Sequence, residues 1–299
     1  MYEKFYGLSQ CPFDITPDPR FFFGTPGHNE ALASLYYGIE RRKGFIVVSG
    51  EVGTGKTLLS RCLFLSLQAQ QISFSYIFNP LLTVQDFLVN AIADLGLPVA
   101  SKGKGEVLSD LNKFLISKHQ QNSTAALIVD EAHLLSWELL EEIRLLTNLE
   151  TARQKLLQIV LFGQPELEER LDSVDLRQLK QRVALRCRLE PMTEAETRNY
   201  IRARLFRAGA NAKSETILPA DTVGLIHRFS RGIPRLVNTI SENCLIAGFA
   251  HRMTSIPPSI VEEVASDFCL SDSLETTEVR KLNCEALKQP EALLNGGAR

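Results

Sequence analysis

The chain has 299 residues, of which 44% are hydrophobic and 23% charged, with a formal net charge of -2. That length allows one large or two modest domains with ample core, in the composition range of soluble globular proteins. The near-neutral balance excludes a global pull towards nucleic acid or anionic lipid and leaves only a local basic face.

In chain order, residues 1–44 form a first zone. Prolines and aromatics crowd Cys11-Pro12-Phe13-Asp14-Ile15-Thr16-Pro17-Asp18-Pro19-Arg20-Phe21-Phe22-Phe23. They exclude a long helix there and predict an extended strap whose aromatics pack on a neighbour. A helical pattern follows from His28 to Arg41. Residues 45–191 alternate apolar runs with helical periods, and strands are expected at 45–49, 73–78, 125–129, 157–162 and 183–189. Helical patterns include Thr83 to Leu95, where Thr83 and Asp86 have capping-box spacing, and Trp137 to Leu149. This alternation predicts an α/β fold, a parallel five-stranded sheet between helices. From Thr193 the β pattern stops. Helices expected at 194–208, 220–230, 234–250 and 258–268 make a small all-α lid domain over residues 192–270. Residues 271–299 are polar and weakly periodic, a tail or loosely docked helix.

The N-terminus lacks the basic and apolar regions of a signal peptide. No stretch approaches the roughly 18 uncharged apolar residues of a membrane span. Leu236 to Ala250 comes nearest but contains Asn238, Glu242 and Asn243, so it reads as a buried or amphipathic helix. Cys11, Cys62, Cys187, Cys244, Cys269 and Cys284 show neither C-x-x-C pairing nor metal spacing, and they read as buried free thiols in a reducing compartment. The expected location is cytoplasmic.

The run Gly50-Glu51-Val52-Gly53-Thr54-Gly55-Lys56-Thr57 fits G-x-x-x-x-G-K-[ST], the phosphate-binding P-loop. It follows an apolar strand and opens a helical pattern at Leu58, which is the context such a loop requires. Its glycines let backbone N–H groups turn inward, and the following helix adds the positive end of its dipole. Lys56 would reach the β- and γ-phosphates, and the Thr57 hydroxyl would ligate Mg²⁺.

A second element is Ala125-Ala126-Leu127-Ile128-Val129-Asp130-Glu131. A buried strand would deliver Asp130 to the phosphate edge as an Mg²⁺ partner through water, with Glu131 beside it as general base. Asn79 ends the strand between these elements; it either hydrogen-bonds Glu131 as a restraint or begins a turn before Pro80. Gln164 follows the strand ending at Phe162 and either orients water or is a loop amide in a Gly-Gln-Pro turn. Arg182 precedes the last strand and should face outward as an arginine finger towards a neighbouring subunit, with Arg177 and Arg186 as competitors. Arg235, in Gly232-Ile233-Pro234-Arg235, would reach back from the lid to the γ-phosphate.

Together these elements resemble an AAA+ ATPase. More narrowly, Tyr6-Gly7-Leu8, Pro12-Phe13, Thr16-Pro17-Asp18-Pro19-Arg20-Phe21, "GEVGTGKT", "DEAHLL", "NLET", "LFGQPEL" and "GIPRLVN" are similar to the general secretion pathway protein A (ExeA-type) family. That family includes ATPases associated with exosortase and exopolysaccharide systems. The resemblance runs from the N-terminus to about residue 268. It implies that class's sheet order, hydrolysis of ATP with Mg²⁺, ring or filament assembly into a homo-oligomer, and residues 12–21 near the adenine. Secretion-type members continue into a transmembrane helix and a peptidoglycan-binding region. The polar residues 271–299 stand there instead, which implies a shorter relative serving a secretion or polysaccharide export apparatus, peripheral to the inner membrane through partners.

Two other readings compete. Asp130-Glu131-Ala132-His133 spells a helicase box, but such helicases need two tandem ATPase domains, and the segment after 193 is too small for a second. A DNA-associated ATPase resembling transposition regulators is the alternative, with Arg198, Arg202, Arg204, Arg207 and Lys213 meeting phosphates.

Overall fold

A computed structural model describes residues 1–99, 103–210 and 214–270; the tail at 271–299 and Lys213 lie outside the described residues. Helix α1 (Tyr2–Tyr6) opens the chain and α2 (Pro26–Glu40) precedes the first strand. The chain continues through β1 (Phe45–Gly50), α3 (Lys56–Ala69), β2 (Ser73–Ile77), α4 (Val84–Asp94) and α5 (Lys104–Gln120). Then come β3 (Ala125–Val129), α6 (Trp137–Leu146), β4 (Leu157–Gly163), α7 (Pro165–Leu171), α8 (Arg177–Lys180) and β5 (Leu185–Leu189). Helices α9 (Glu194–Arg207), α10 (Ser214–Ile217), α11 (Ala220–Ser230), α12 (Pro234–Ala250) and α13 (Pro258–Asp267) complete the described chain. Contacts divide it into two compact units. One holds residues 14–196 and Ile233–Arg235; the other joins residues 1–13 to residues 197–232 and the chain from Leu236.

In the first unit the five strands form one parallel sheet in the order β2-β3-β4-β1-β5. Strands β1, β3 and β4 are buried along their whole length, so both faces must be covered. Strand parity divides the apolar residues between two cores. Phe45, Val47, Leu127, Val129, Ile159 and Leu161 face the side of α4, α5 and α6. Ile46, Val48, Ile128, Val160 and Phe162 face Leu35 and Ile39 of α2 and Leu59 and Leu63 of α3. All five expected strands form. β5 begins at Leu185, not at 183, because Arg182 and Val183 still bond back to Leu179 and Lys180 in a turn.

Helix starts follow local chemistry. Thr83 Oγ1 accepts from Asp86 N–H at 3.1 Å and donates to the Asp86 carboxylate, which caps α4. The sequence reading names no helix at 104–120, yet Val107, Leu111 and Leu115 bury one face of α5 there. Gly103 N–H donates to Glu106 Oε2 at 2.9 Å and closes its first turn.

The second unit adds one helix that the sequence reading does not name and corrects one expectation. The proline run starts only at Pro12, which leaves Tyr2–Tyr6 free to coil, while residues 11–23 form no helix longer than the single turn Pro19–Phe21. Tyr2 donates to Glu242 Oε1 at 2.6 Å, Tyr6 donates to Met253 O at 3.0 Å, and Phe5 meets Phe249 edge-on. Arg204 belongs to no basic face: it is 4% exposed, donates to Pro12 O at 2.8 Å and lies over the Tyr200 ring. That carbonyl and ring replace part of the water lost by the guanidinium on burial. Arg198, Arg202 and Arg207 remain exposed.

The apolar segment expected over 236–250 is the body of α12. Asn238 there is buried and accepts from Tyr200 at 2.8 Å. No helix among the described residues is long and apolar enough to cross a membrane. Cys244 is buried, but Cys269 is exposed just past α13, so burial does not extend to every free thiol.

Candidate active site

The P-loop joins β1 to α3. Gly53 has φ 82° and Gly55 φ 100°, both in the left-handed region where a Cβ is strained. At Gly53 a Cβ would also lie 2.8 Å from Arg235 Cβ and 3.0 Å from Ile233 Cγ2. The loop is held closed from within, with Thr54 Oγ1 donating to Glu51 O at 2.8 Å. Lys56 is buried and donates to Gly50 O at 2.7 Å and to Glu51 O at 2.9 Å. Burial lowers its pKa, against the pull of Glu131 and Asp130, whose charges favour the cation. Glu51 and Val52 are exposed, while Thr57 and Leu58 are half-buried in the first turn of α3.

The second wall grows from β3. Asp130 continues the ladder through its N–H to Ile77 O at 2.9 Å. Its side chain is 4% exposed; Oδ1 accepts from Glu131 N–H at 2.9 Å and Oδ2 from the Tyr76 hydroxyl at 3.0 Å. Burial pushes the Asp130 carboxyl up, and those two donors oppose the shift. Burial likewise raises Tyr76, which keeps its hydroxyl a donor. Glu131 sits at φ 49°, and its Oε2 is buried without a hydrogen bond among the described residues. His133 Nδ1 is 3.5 Å from that oxygen but also makes no hydrogen bond; the two are near neighbours, badly aligned for one. Glu131 thus combines a strained backbone with a buried acceptor that makes no hydrogen bond among the described residues.

The remaining sequence-expected residues fall at both ends of the sheet. Gln164 is half-buried and follows the C-terminal end of β4, the strand between β3 and β1, so topology brings it between Asp130 and the P-loop. Asn79 is exposed, and its Oδ1 accepts from Leu81 N–H at 3.2 Å in the turn around Pro80. Arg235 is exposed; its backbone N–H donates to Gly53 O at 3.2 Å, so it touches the P-loop through the main chain.

Arg182 does not point freely outward as expected. It lies before the N-terminal end of β5, at the sheet end away from the P-loop, and is half-buried. Its Nη1 bonds Thr147 Oγ1, Asn148 Oδ1 and Arg144 O, acceptors that the end of α6 gathers in one place. Arg186 is paired with Glu168 and Asp172, whereas Arg177 is exposed with no side-chain partner among the described residues.

Two residues of the site escaped the sequence reading. His28 reaches the P-loop, with its Nε2 2.9 Å from Thr54 O. Its signal was a polar residue in the buried α2 stripe that continues through Ala31, Leu35 and Ile39. Tyr76 holds Asp130 from the neighbouring strand, and only the β2–β3 register brings the two together.

The donor set fits a polyphosphate with a hard divalent cation. The loop supplies N–H groups and a lysine, and Thr57 with Asp130 supplies oxygen donors. No group of three His, Cys, Asp or Glu among the described residues could hold a metal alone. A cation here would share its coordination with the phosphates, as Mg²⁺ commonly does.

Comparison with known proteins agrees with this geometry. The AAA domain family matches residues 39–171. General secretion pathway protein A of Aeromonas hydrophila is 42% identical over 251 residues, which cover 84% of this chain and 45% of that protein. The chain thus spans less than half the length of this relative. Among solved structures, Cdc6p from Pyrobaculum aerophilum superposes with a TM-score of 0.61 at 18% identity, covering 93% of this chain and 73% of that one. The Thermotoga maritima RuvB Holliday junction branch migration motor gives 0.58 at 16%, covering 93% and 80%. Such low identities show the fold alone. On the sequence relationship, the sheet order and the P-loop, the chain is an AAA-domain protein homologous to general secretion pathway protein A.

Proposed function

We propose that this protein binds ATP with Mg²⁺ and hydrolyses it as an oligomeric switch or motor for a secretion or exopolysaccharide-type export assembly. The observation that carries the reading is a P-loop whose buried lysine feels Asp130 and Glu131, with Glu131 Oε2 buried and unbonded among the described residues. Residues 50–58 cradle the phosphates through backbone N–H groups, and Lys56 meets their charge. Thr57, and Asp130 through water, would hold Mg²⁺, which would neutralise charge on the phosphates. Glu131 orients a water and accepts its proton as that oxygen attacks the γ-phosphorus, while the bond from the γ-phosphorus to the bridging oxygen breaks and ADP leaves with the electron pair. Gln164 helps position this water, Asn79 restrains Glu131 between turnovers, and Arg235 carries nucleotide state into α12.

Arg182 acts on the next subunit. It lies at the opposite sheet end from its own P-loop, and its bonds to α6 all use Nη1, which leaves Nε and Nη2 without partners among the described residues. The export role is supported by the relative from Aeromonas hydrophila, and the partners would be components of such an apparatus.

Glu131→Gln should lower phosphate release at least about a hundred-fold while ATP affinity and ATP-dependent assembly persist. Hydrolysis at the parent rate would remove Glu131 from this role. Mixing Lys56→Ala with Arg182→Ala should restore part of the activity that each lacks alone, because a mixed assembly contains intact composite sites. No recovery from variants that co-assemble would sink the action in trans.

A further inference from the structure

His28 has no part in the chemistry above, yet its side chain grips the P-loop backbone from outside the loop through a hydrogen bond. It stands in the first turn of α2, two residues after Pro26, where Thr25 Oγ1 accepts from its N–H at 3.3 Å. The ring is 6% exposed. Nδ1 lies 2.7 Å from Thr25 Oγ1 and Nε2 lies 2.9 Å from Thr54 O. A carbonyl oxygen only accepts, so Nε2 carries the hydrogen, and Nδ1 in turn accepts from the Thr25 hydroxyl. One tautomer satisfies both bonds.

The peptide unit from Thr54 to Gly55 is trans, as are all the described peptide bonds. In a trans peptide the C=O and N–H point in opposite directions. Drawing the Thr54 carbonyl towards His28 therefore turns the Gly55 N–H away from it, leaving that donor free for a phosphate. Gly55 permits the close approach: a Cβ there would lie 3.0 Å from His28 Nε2. Without the imidazole this peptide could rotate and present an oxygen to the phosphates in place of a hydrogen. We propose that His28 is a positioning residue for the phosphate cradle, holding the Thr54–Gly55 peptide in its anion-binding orientation. The inference rests on the P-loop reading above and adds a determinant of polyphosphate affinity to it.

The test compares ATP and inorganic tripolyphosphate by titration calorimetry on the parent, His28→Ala and His28→Gln. Glutamine can offer an N–H near the position of Nε2. His28→Ala should bind both ligands about five- to ten-fold more weakly, with unchanged stoichiometry, and His28→Gln should recover most of the loss. KM for ATP should rise by the same factor in His28→Ala while kcat changes less. Equal affinities in parent and His28→Ala would overturn the proposal, as would a loss for ATP that tripolyphosphate does not share. Should His28→Ala not fold, His28→Phe keeps the ring and removes both nitrogens; the same loss is expected, and parent-like binding would overturn the proposal. Lys56→Ala separates the two levels. If it loses ATP binding while His28→Ala does not, only the role of His28 fails; if it binds ATP like the parent, the P-loop reading itself fails.

Discussion

The two ends of the same parallel sheet treat their polar groups in opposite ways. At the N-terminal ends of the strands the protein answers its own donors and acceptors. Gln158, fully buried, accepts from Gly44 N–H at 2.8 Å and donates to Lys155 O at 3.1 Å. Arg42 donates to Ser123 O at 2.9 Å and to Gln154 Oε1 at 3.0 Å. At the C-terminal ends Lys56, Asp130 and Glu131 are gathered close together, with one carboxylate oxygen unbonded among the described residues.

Backbone strain sharpens the contrast. Arg42, Gln71 and Asn122 have positive φ, but each simply ends a helix, where its N–H bonds back to Ile39, Gln68 and His119. Glu131 has positive φ between a strand and the short turn Ala132–Leu134, in an N-cap position that ordinarily takes an extended backbone. The lesson is that one end of the sheet is built for stability and the other is built to meet something outside the chain.

Substitutions at the two ends should therefore separate binding from stability. The largest effect is expected for Lys56→Ala, which should weaken ATP binding on the order of a hundred-fold or more with little loss of thermal stability, since the lysine is buried against its charge. Nucleotide titration and thermal melting would read both; an equal loss in both would break the comparison. Gln158→Leu should do the reverse, destabilising by about 1–3 kcal/mol through the unpaired Gly44 N–H while leaving ATP affinity alone. Urea unfolding with and without ATP checks it.

A smaller effect is expected for Tyr76→Phe, about 1 kcal/mol of stability together with a few-fold higher Mg²⁺ requirement, because Asp130 loses a donor that aims it. An unchanged Mg²⁺ dependence of turnover would limit Tyr76 to packing.

The smallest effect concerns pH. Burial lowers the His28 pKa below its ordinary value of about 6.5, although the Thr54 carbonyl and the more distant Glu196 carboxylate partly favour the charged ring. The unfolded chain then takes up this proton first as pH falls. The stability contributed by neutral His28 is complete above about pH 6.5 and is lost as pH falls through the folded pKa. The parent should lose more stability than His28→Gln between pH 7.5 and 5.5; equal slopes in urea titrations would count against it.

Much of this was legible in the order of residues. The strands at β1, β3 and β4 are apolar runs closed by glycine or acidic residues, and Gly53, Gly55 and Lys56 announce a phosphate loop by spacing alone. Asp130 and Glu131 are legible because a buried strand delivers its next residues to a sheet edge. α1 was hidden because five residues carry too little periodicity to declare a helix, and its partners Glu242 and Met253 come from the far end of the chain. Arg204 looked like one more cation on a basic helix; only the Pro12 carbonyl made it internal.

The sequence by itself determined the loop, its lysine, the acidic pair and the alternation of strands and helices, because these depend on neighbours a few residues apart. The tertiary structure alone decided which side chains hold that machinery. Tyr76 meets Asp130, His28 meets Thr54 and Arg182 meets Thr147 across strand pairings and helix packings. Hydrogen bonds are directional to within a fraction of an ångström, and such geometry exists only once the sheet order has closed.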